Sequence, residues 1–179
     1  MLKYKILILI FISIFNLEFS TNLPLYGQDW EKLRDSSNVL VEAGYLKDAL
    51  DLSKDALEIL KKQYGTRNPN YPKILSQIAD IYYYLDNLNK SLEYYQLDSS
   101  SLKEIYGTEN LEYALSLYNI AFVYSAKFQY EKAEPLLKDI LQIKKTILGE
   151  NNLEYASSLM DLALLNKNKG NYGEAESLY

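Results

Sequence analysis

Glu131 and Glu134 stand three residues apart, with Lys132 and Lys138 beside them. Paired carboxylates are the groups that general acid–base catalysis uses. A spacing of three also places both on one helix face. There the lysine four residues after Glu134 makes a solvated, ion-paired surface the expected use. The other reactive types are missing: the chain contains no Cys and no His. A thiolate nucleophile, a disulfide framework and the imidazole that most hydrolytic and zinc sites need are therefore excluded. The three short glycine stretches, YGT at 64–66, YGT at 106–108 and LGE at 148–150, are too brief to cradle a nucleotide phosphate and suit helix ends. No metal or cofactor is expected, and the chemistry that remains is recognition. The chain carries 18 tyrosines, including Tyr82-Tyr83-Tyr84 and Tyr94-Tyr95. A rigid aromatic with a polar tip can anchor a ligand, or fill a helix interface with its hydroxyl at the rim.

The elements that must position these side chains follow from a repeat. LEYALSL at 111–117 returns as LEYASSL at 153–159, an interval of 42 residues. Gly65, Gly107 and Gly149 keep that interval, as do Leu33, Leu75, Leu117 and Leu159. Two series of small residues share it: Ser37, Ala79, Ala121 and Ala163, and Ala49, Ser91, Ala133 and Ala175. Within a unit, Leu117, Ile120, Ala121 and Tyr124 follow the i, i+3, i+4, i+7 pattern of an amphipathic helix, and Leu75, Ile78, Ala79 and Tyr82 repeat it. A short break such as Lys127-Phe128-Gln129 suits a tight turn. A longer apolar pattern follows through Ala133, Leu136, Leu137, Ile140, Leu141 and Ile143. It ends at a glycine, for which a left-handed helix stop is expected. Each unit is thus a helix, a turn, a longer helix and a linking loop. The small residues fall where the two helices of a hairpin cross closely, and one hairpin cannot bury its own apolar stripe. Successive hairpins must stack, which predicts an all-α solenoid.

Residues 121–145, AFVYSAKFQYEKAEPLLKDILQIKK, resemble a tetratricopeptide repeat, and the 42-residue period with a long second helix is similar to the kinesin light chain type. The turn motif of an aromatic followed three positions on by a small residue is present as Tyr130 with Ala133 and Tyr172 with Ala175. The resemblance covers about residues 29–179, with units at about 29–69, 70–111, 112–153 and an incomplete 154–179. It implies a right-handed superhelix of helix-turn-helix hairpins. It also implies a non-catalytic interaction scaffold that binds a peptide or partner domain in a concave groove lined by the first helices. The residues that would face that groove are Arg34 and Asn38, then Lys73, Gln77, Asp80, Tyr83 and Tyr84, then Tyr118, Asn119 and Phe122. Arg34 with Asn38 resembles the start of the family's clamp for a terminal carboxylate. Leu115 and Asn119 stand where that clamp would have basic residues.

Residues 1–27 differ in character. Lys3 and Lys5 precede Ile6–Phe15, an apolar run broken by Ser13 and ended by Asn16 and Glu18. That is the pattern of a secretory signal peptide, because a spanning helix needs about 20 apolar residues. Export to the periplasm or the extracellular space is expected, with a membrane anchor at 6–15 as the alternative. Residues 28–179 carry 17 basic and 23 acidic side chains, a net charge of −6, which disfavours nucleic acid and anionic membrane as partners. Because EAESLY at 174–179 follows the last turn so closely, the sequence is expected to be a fragment. Its partner would then include a domain of its own longer chain. In that alternative it is the sensing part of an enzyme, a caspase-like protease or a membrane sensor kinase, whose catalytic domain lies beyond Tyr179.

Overall fold

The computed structural model describes residues 29–179; the expectations for residues 1–27, the signal peptide and the alternative anchor at 6–15, lie outside them. The described residues form eight helices in four antiparallel hairpins. They are α1 (Trp30–Glu42) with α2 (Leu46–Tyr64), α3 (Asn70–Tyr84) with α4 (Leu88–Tyr106), α5 (Leu111–Ala126) with α6 (Tyr130–Leu148), and α7 (Leu153–Lys169) with α8 (Tyr172–Leu178). The dense packing runs between successive helices along the chain, as an all-α solenoid requires.

Local sequence chemistry sets the helix boundaries. Side-chain oxygens of Asp29, Asn87, Asn110 and Asn152 accept the first free backbone N–H groups of α1, α4, α5 and α7. Asn110 works in both directions, accepting from the Tyr113 N–H at 2.7 Å and donating to the Gly107 carbonyl at 2.8 Å. It thereby ties the end of α4 to the start of α5. Within each hairpin the turn passes through one left-handed residue: Gly44, Asp86, Phe128 and Gly170 have φ between 57° and 84°.

The long helices end differently from the expected left-handed stop. Gly107 closes α4 with φ 78° and ψ −167°, a region open to glycine alone. Gly65 and Gly149 end α2 and α6 in the same way. The chain leaves the helix nearly extended, which carries it across to the next hairpin instead of folding it back.

The core is a row of small-to-large contacts repeated along the array. Ser37, Ala79, Ala121 and Ala163 are all at or near zero exposure, and so are Ala49, Ser91, Ala133 and Ala175. Around these crossings Leu33, Ile59, Leu60, Ile74, Ile78 and Ile81 fill the first two hairpins. Leu117, Leu137, Ile140, Leu162 and Leu165 fill the last two. Ile120 and Val123 of α5 pack on Ala79 and Tyr95, joining the two halves. Each such buried aliphatic contributes roughly 1.5–3 kcal/mol, so the array is held by burial and not by its surface ion pairs.

Candidate functional site

The first helices present a groove whose character changes along its length. At its beginning the polar residues are bonded to one another. The Gln77 amide donates to Asn38 Oδ1 at 2.9 Å, to Ser37 Oγ at 3.1 Å and to the Arg34 carbonyl at 3.4 Å, pinning α3 to α1. Ser37 is fully buried and donates to the Ala49 carbonyl at 2.8 Å, or shares its proton with Ser53 at 2.7 Å. Arg34 is engaged as well. Its guanidinium reaches Asp35 Oδ1 through two nitrogens, at 3.0 and 2.8 Å, and lies 5.4 Å from the Trp30 ring centre. Lys73 is exposed and 3.4 Å from Asn70 Oδ1. Arg34, Asn38 and Gln77 therefore form one stitch between hairpins, with Lys73 standing apart on the surface.

In the second hairpin Asp80 accepts the Tyr95 hydroxyl. Burial pushes the Asp80 carboxyl up and this hydrogen bond opposes the push. Below them Asp98, buried to 3% exposure, sits where α2 has Ala56 and α6 has Ile140. Burial first, and the charge of Asp80 second, raise its carboxyl to about 7.

The aromatic candidates converge further along. Tyr83 lies 5.2 Å from Phe122, and Phe122 is stacked against Tyr118 at 6.5 Å. Tyr84 packs edge-on against Tyr83 at 6.2 Å and is 61% exposed. Asn119 lies half-buried on the same helix as Tyr118 and Phe122. Tyr83, Tyr118 and Phe122 line an open cavity of about 400 Å³ together with Phe128, Asp161 and Leu164. Sequence reasoning missed these last three, although the period contained the signal: Asp161 and Leu164 stand 42 residues after Asn119 and Phe122. Tyr82 and Tyr124 are half-buried among the core clusters, in keeping with their place on the packing stripe.

The carboxylate pair is a surface feature. Glu134 joins Lys138 and Lys169, each at 2.6 Å, the second bond linking α6 to α7. These two lysines hold its carboxyl below the usual range. Glu131 is exposed beside them. A carboxylate kept ionised by two ammonium groups is a strut, not a proton donor. Among the described residues no cluster of three or more acidic side chains could hold a metal ion.

Residues 112–179 match the family model for the tetratricopeptide repeat. A search of curated proteins finds no match. Among solved structures the chain is similar to BtubC (BKLC) from P. vanneervenii, at 17% identity and TM-score 0.75, over 87% of this chain and 63% of that one. It thus spans less than two thirds of BtubC. It is also similar to nearly identical TPR-like repeats of a Podosopora anserina protein designated a kinesin light chain, at 17% identity and TM-score 0.78, over 93% and 78% of the two chains. The apo form of RapI aligns at 18% identity and TM-score 0.72, over 86% and 55%. These likenesses show the fold, a solenoid of tetratricopeptide-type hairpins.

Proposed function

We propose, on the premise that residues 112–179 are tetratricopeptide repeats and that the described array shares their fold, that the protein is a non-catalytic scaffold holding a peptide segment of a partner protein in its groove. The carrying observation is the row of apolar side chains that the first helices leave uncovered in α5 and α7. Leu115 is 60% exposed, Phe122 46%, Met160 59% and Leu164 50%, with Phe122 and Leu164 lining the cavity itself. A helix that buries its other stripe in the core and keeps such a row facing outward has a surface suited to a partner. An extended peptide can touch successive hairpins without altering any of them.

The test is fluorescence anisotropy with labelled peptides selected from a random display library, on the parent protein and on Tyr118→Ala and Phe122→Ala. Selected peptides should compete for one site and bind at least tenfold more weakly to both variants, while circular dichroism stays unchanged. Failure to select any peptide, or binding indifferent to both substitutions, would overturn the reading.

The place of action follows from residues 1–27, whose Lys3 and Lys5 before the apolar run support export. N-terminal sequencing of the protein from its source decides this. A chain beginning near Gln28 supports it, and an intact Met1 in the cytoplasmic fraction rejects it.

A further inference from the structure

The cavity between α3, α5 and α7 combines features that a purely apolar pocket lacks. Tyr83, Tyr118, Phe122, Phe128 and Tyr130 all contribute aromatic rings to its wall, and Asp161 is its single charged lining residue. No lysine or arginine lines it. Among the described residues the Asp161 carboxylate accepts no hydrogen bond, and burial pushes its pKa up, Lys144 opposing the shift. Lys144 is held elsewhere: its ammonium donates to the Glu154 carbonyl at 3.3 Å and stands 3.9 Å from the Glu154 carboxylate. A half-buried carboxylate without a bonded partner, in a cavity lined otherwise by aromatic, aliphatic and uncharged side chains, has one complementary ligand chemistry. That ligand is a cation on an apolar stem.

We infer that this cavity receives a basic side chain, arginine or lysine, of the bound peptide, with the aliphatic stem along Leu164 and Phe122 and the cationic head between the rings and Asp161. The inference rests on the peptide-groove reading and adds the class of residue recognised. The volume suits it, since about 400 Å³ holds one long side chain with room for its flanking backbone. Arginine fits better than lysine because its planar head can stack on a ring and still reach a carboxylate edge. The field of the protein assists, since the chain has a formal net charge of −5 and draws basic segments toward it. The equivalent position in the preceding hairpin is Asn119, so an uncharged side chain of the same shape is already compatible with this backbone.

The test uses two capped pentapeptides, acetyl-Gly-Leu-Arg-Leu-Gly-amide and its citrulline counterpart, which keeps the shape and removes the charge. Proton–nitrogen and aromatic proton spectra are followed on the purified protein and on Asp161→Asn. The arginine peptide should shift resonances of Tyr118, Phe122 and Asn168 and bind about tenfold more tightly than the citrulline peptide. Asp161→Asn should erase that difference with little change in the citrulline affinity. Equal binding of the two peptides at these resonances overturns the inference and leaves the groove reading standing. Library-selected peptides that fill the cavity with no basic residue overturn it in the same way. If no peptide of any composition perturbs the groove, both fall.

Discussion

Ser91 and Ala133 occupy the same place in successive hairpins, both fully buried where the second helix crosses the first, and the Ser91 hydroxyl finds no hydrogen-bond partner among the described residues. Ala49 and Ala175 hold that place in the other two hairpins. A buried hydroxyl left unpaired costs about 1–3 kcal/mol, and the alanine series shows that the site accepts a methyl group. Ser91→Ala should therefore raise stability by about 1 kcal/mol, read as a higher urea midpoint with an unchanged slope. Ser37→Ala should do the opposite, because that hydroxyl is bonded to Ala49, Ser53 and Gln77.

Gly107 and Gly170 both have positive φ, yet they should respond differently to the same change. Gly170 is left-handed, with φ 84° and ψ 6°, a conformation asparagine tolerates. Gly107 has ψ −167°, which no side-chain-bearing residue adopts readily. An added Cβ would meet nothing within 4 Å at either position, so the difference is purely one of backbone. Gly170→Asn should cost under about 1 kcal/mol, whereas Gly107→Asn should cost about 1–3 kcal/mol. Thermal unfolding of the two variants compares them directly, and equal losses would contradict the assignment.

The period made the fold legible. Four series at one spacing fix which residues cross, and Ala79, Ala121, Ala133 and Ala163 are buried where that spacing puts them. The site was legible in part. Tyr83, Tyr118 and Phe122 do converge, because the groove face is offset from the packing stripe by a constant angle. Arg34, Asn38 and Gln77 bond one another instead, a pairing between hairpins that a pattern read within one helix does not contain. Asp98 was invisible for a related reason. A lone acidic residue in a polar-looking stretch, LDSSS at 97–101, gives no sign that its helix turns it inward against Asp80 and Tyr95.

Asp98 should make stability depend on pH. Its carboxyl is raised by burial to about 7, against 3.8 for the free side chain. Between those values the unfolded chain releases the proton that the folded chain keeps, so stability falls as pH rises from about 4 to about 7 and then levels off. Glu134 acts with the opposite sign, but its lowered pKa confines that effect to pH below 4.5. Asp98→Asn should flatten the profile between about pH 5 and pH 8. It should also stabilise the protein at the upper end of that range by on the order of 1–3 kcal/mol, since it removes a charge that burial penalises. Urea titrations at about pH 5 and pH 8 measure both effects. A parent protein equally stable at the two values would show that Asp98 is ionised in the fold without penalty.

Phe128 places stability and recognition in opposition. It holds the left-handed turn position with φ 57° where two other hairpins have Gly44 and Gly170, and a bulky residue there is strained by about 1 kcal/mol. Burial does not offset that strain, because the side chain is 77% exposed and its ring touches Tyr130 only edge-on at 6.3 Å. What the ring does supply is part of the cavity wall. Asparagine tolerates the left-handed conformation and escapes the added unfolded-state entropy of glycine. Phe128→Asn should accordingly raise the unfolding midpoint by an amount equivalent to about 0.5–1 kcal/mol. It should also weaken arginine-peptide binding several-fold, through loss of one ring from the wall. Denaturation and peptide titration on the same preparation separate the two effects. A variant that gains stability and keeps full affinity would remove Phe128 from the site and leave its strain without a functional counterpart.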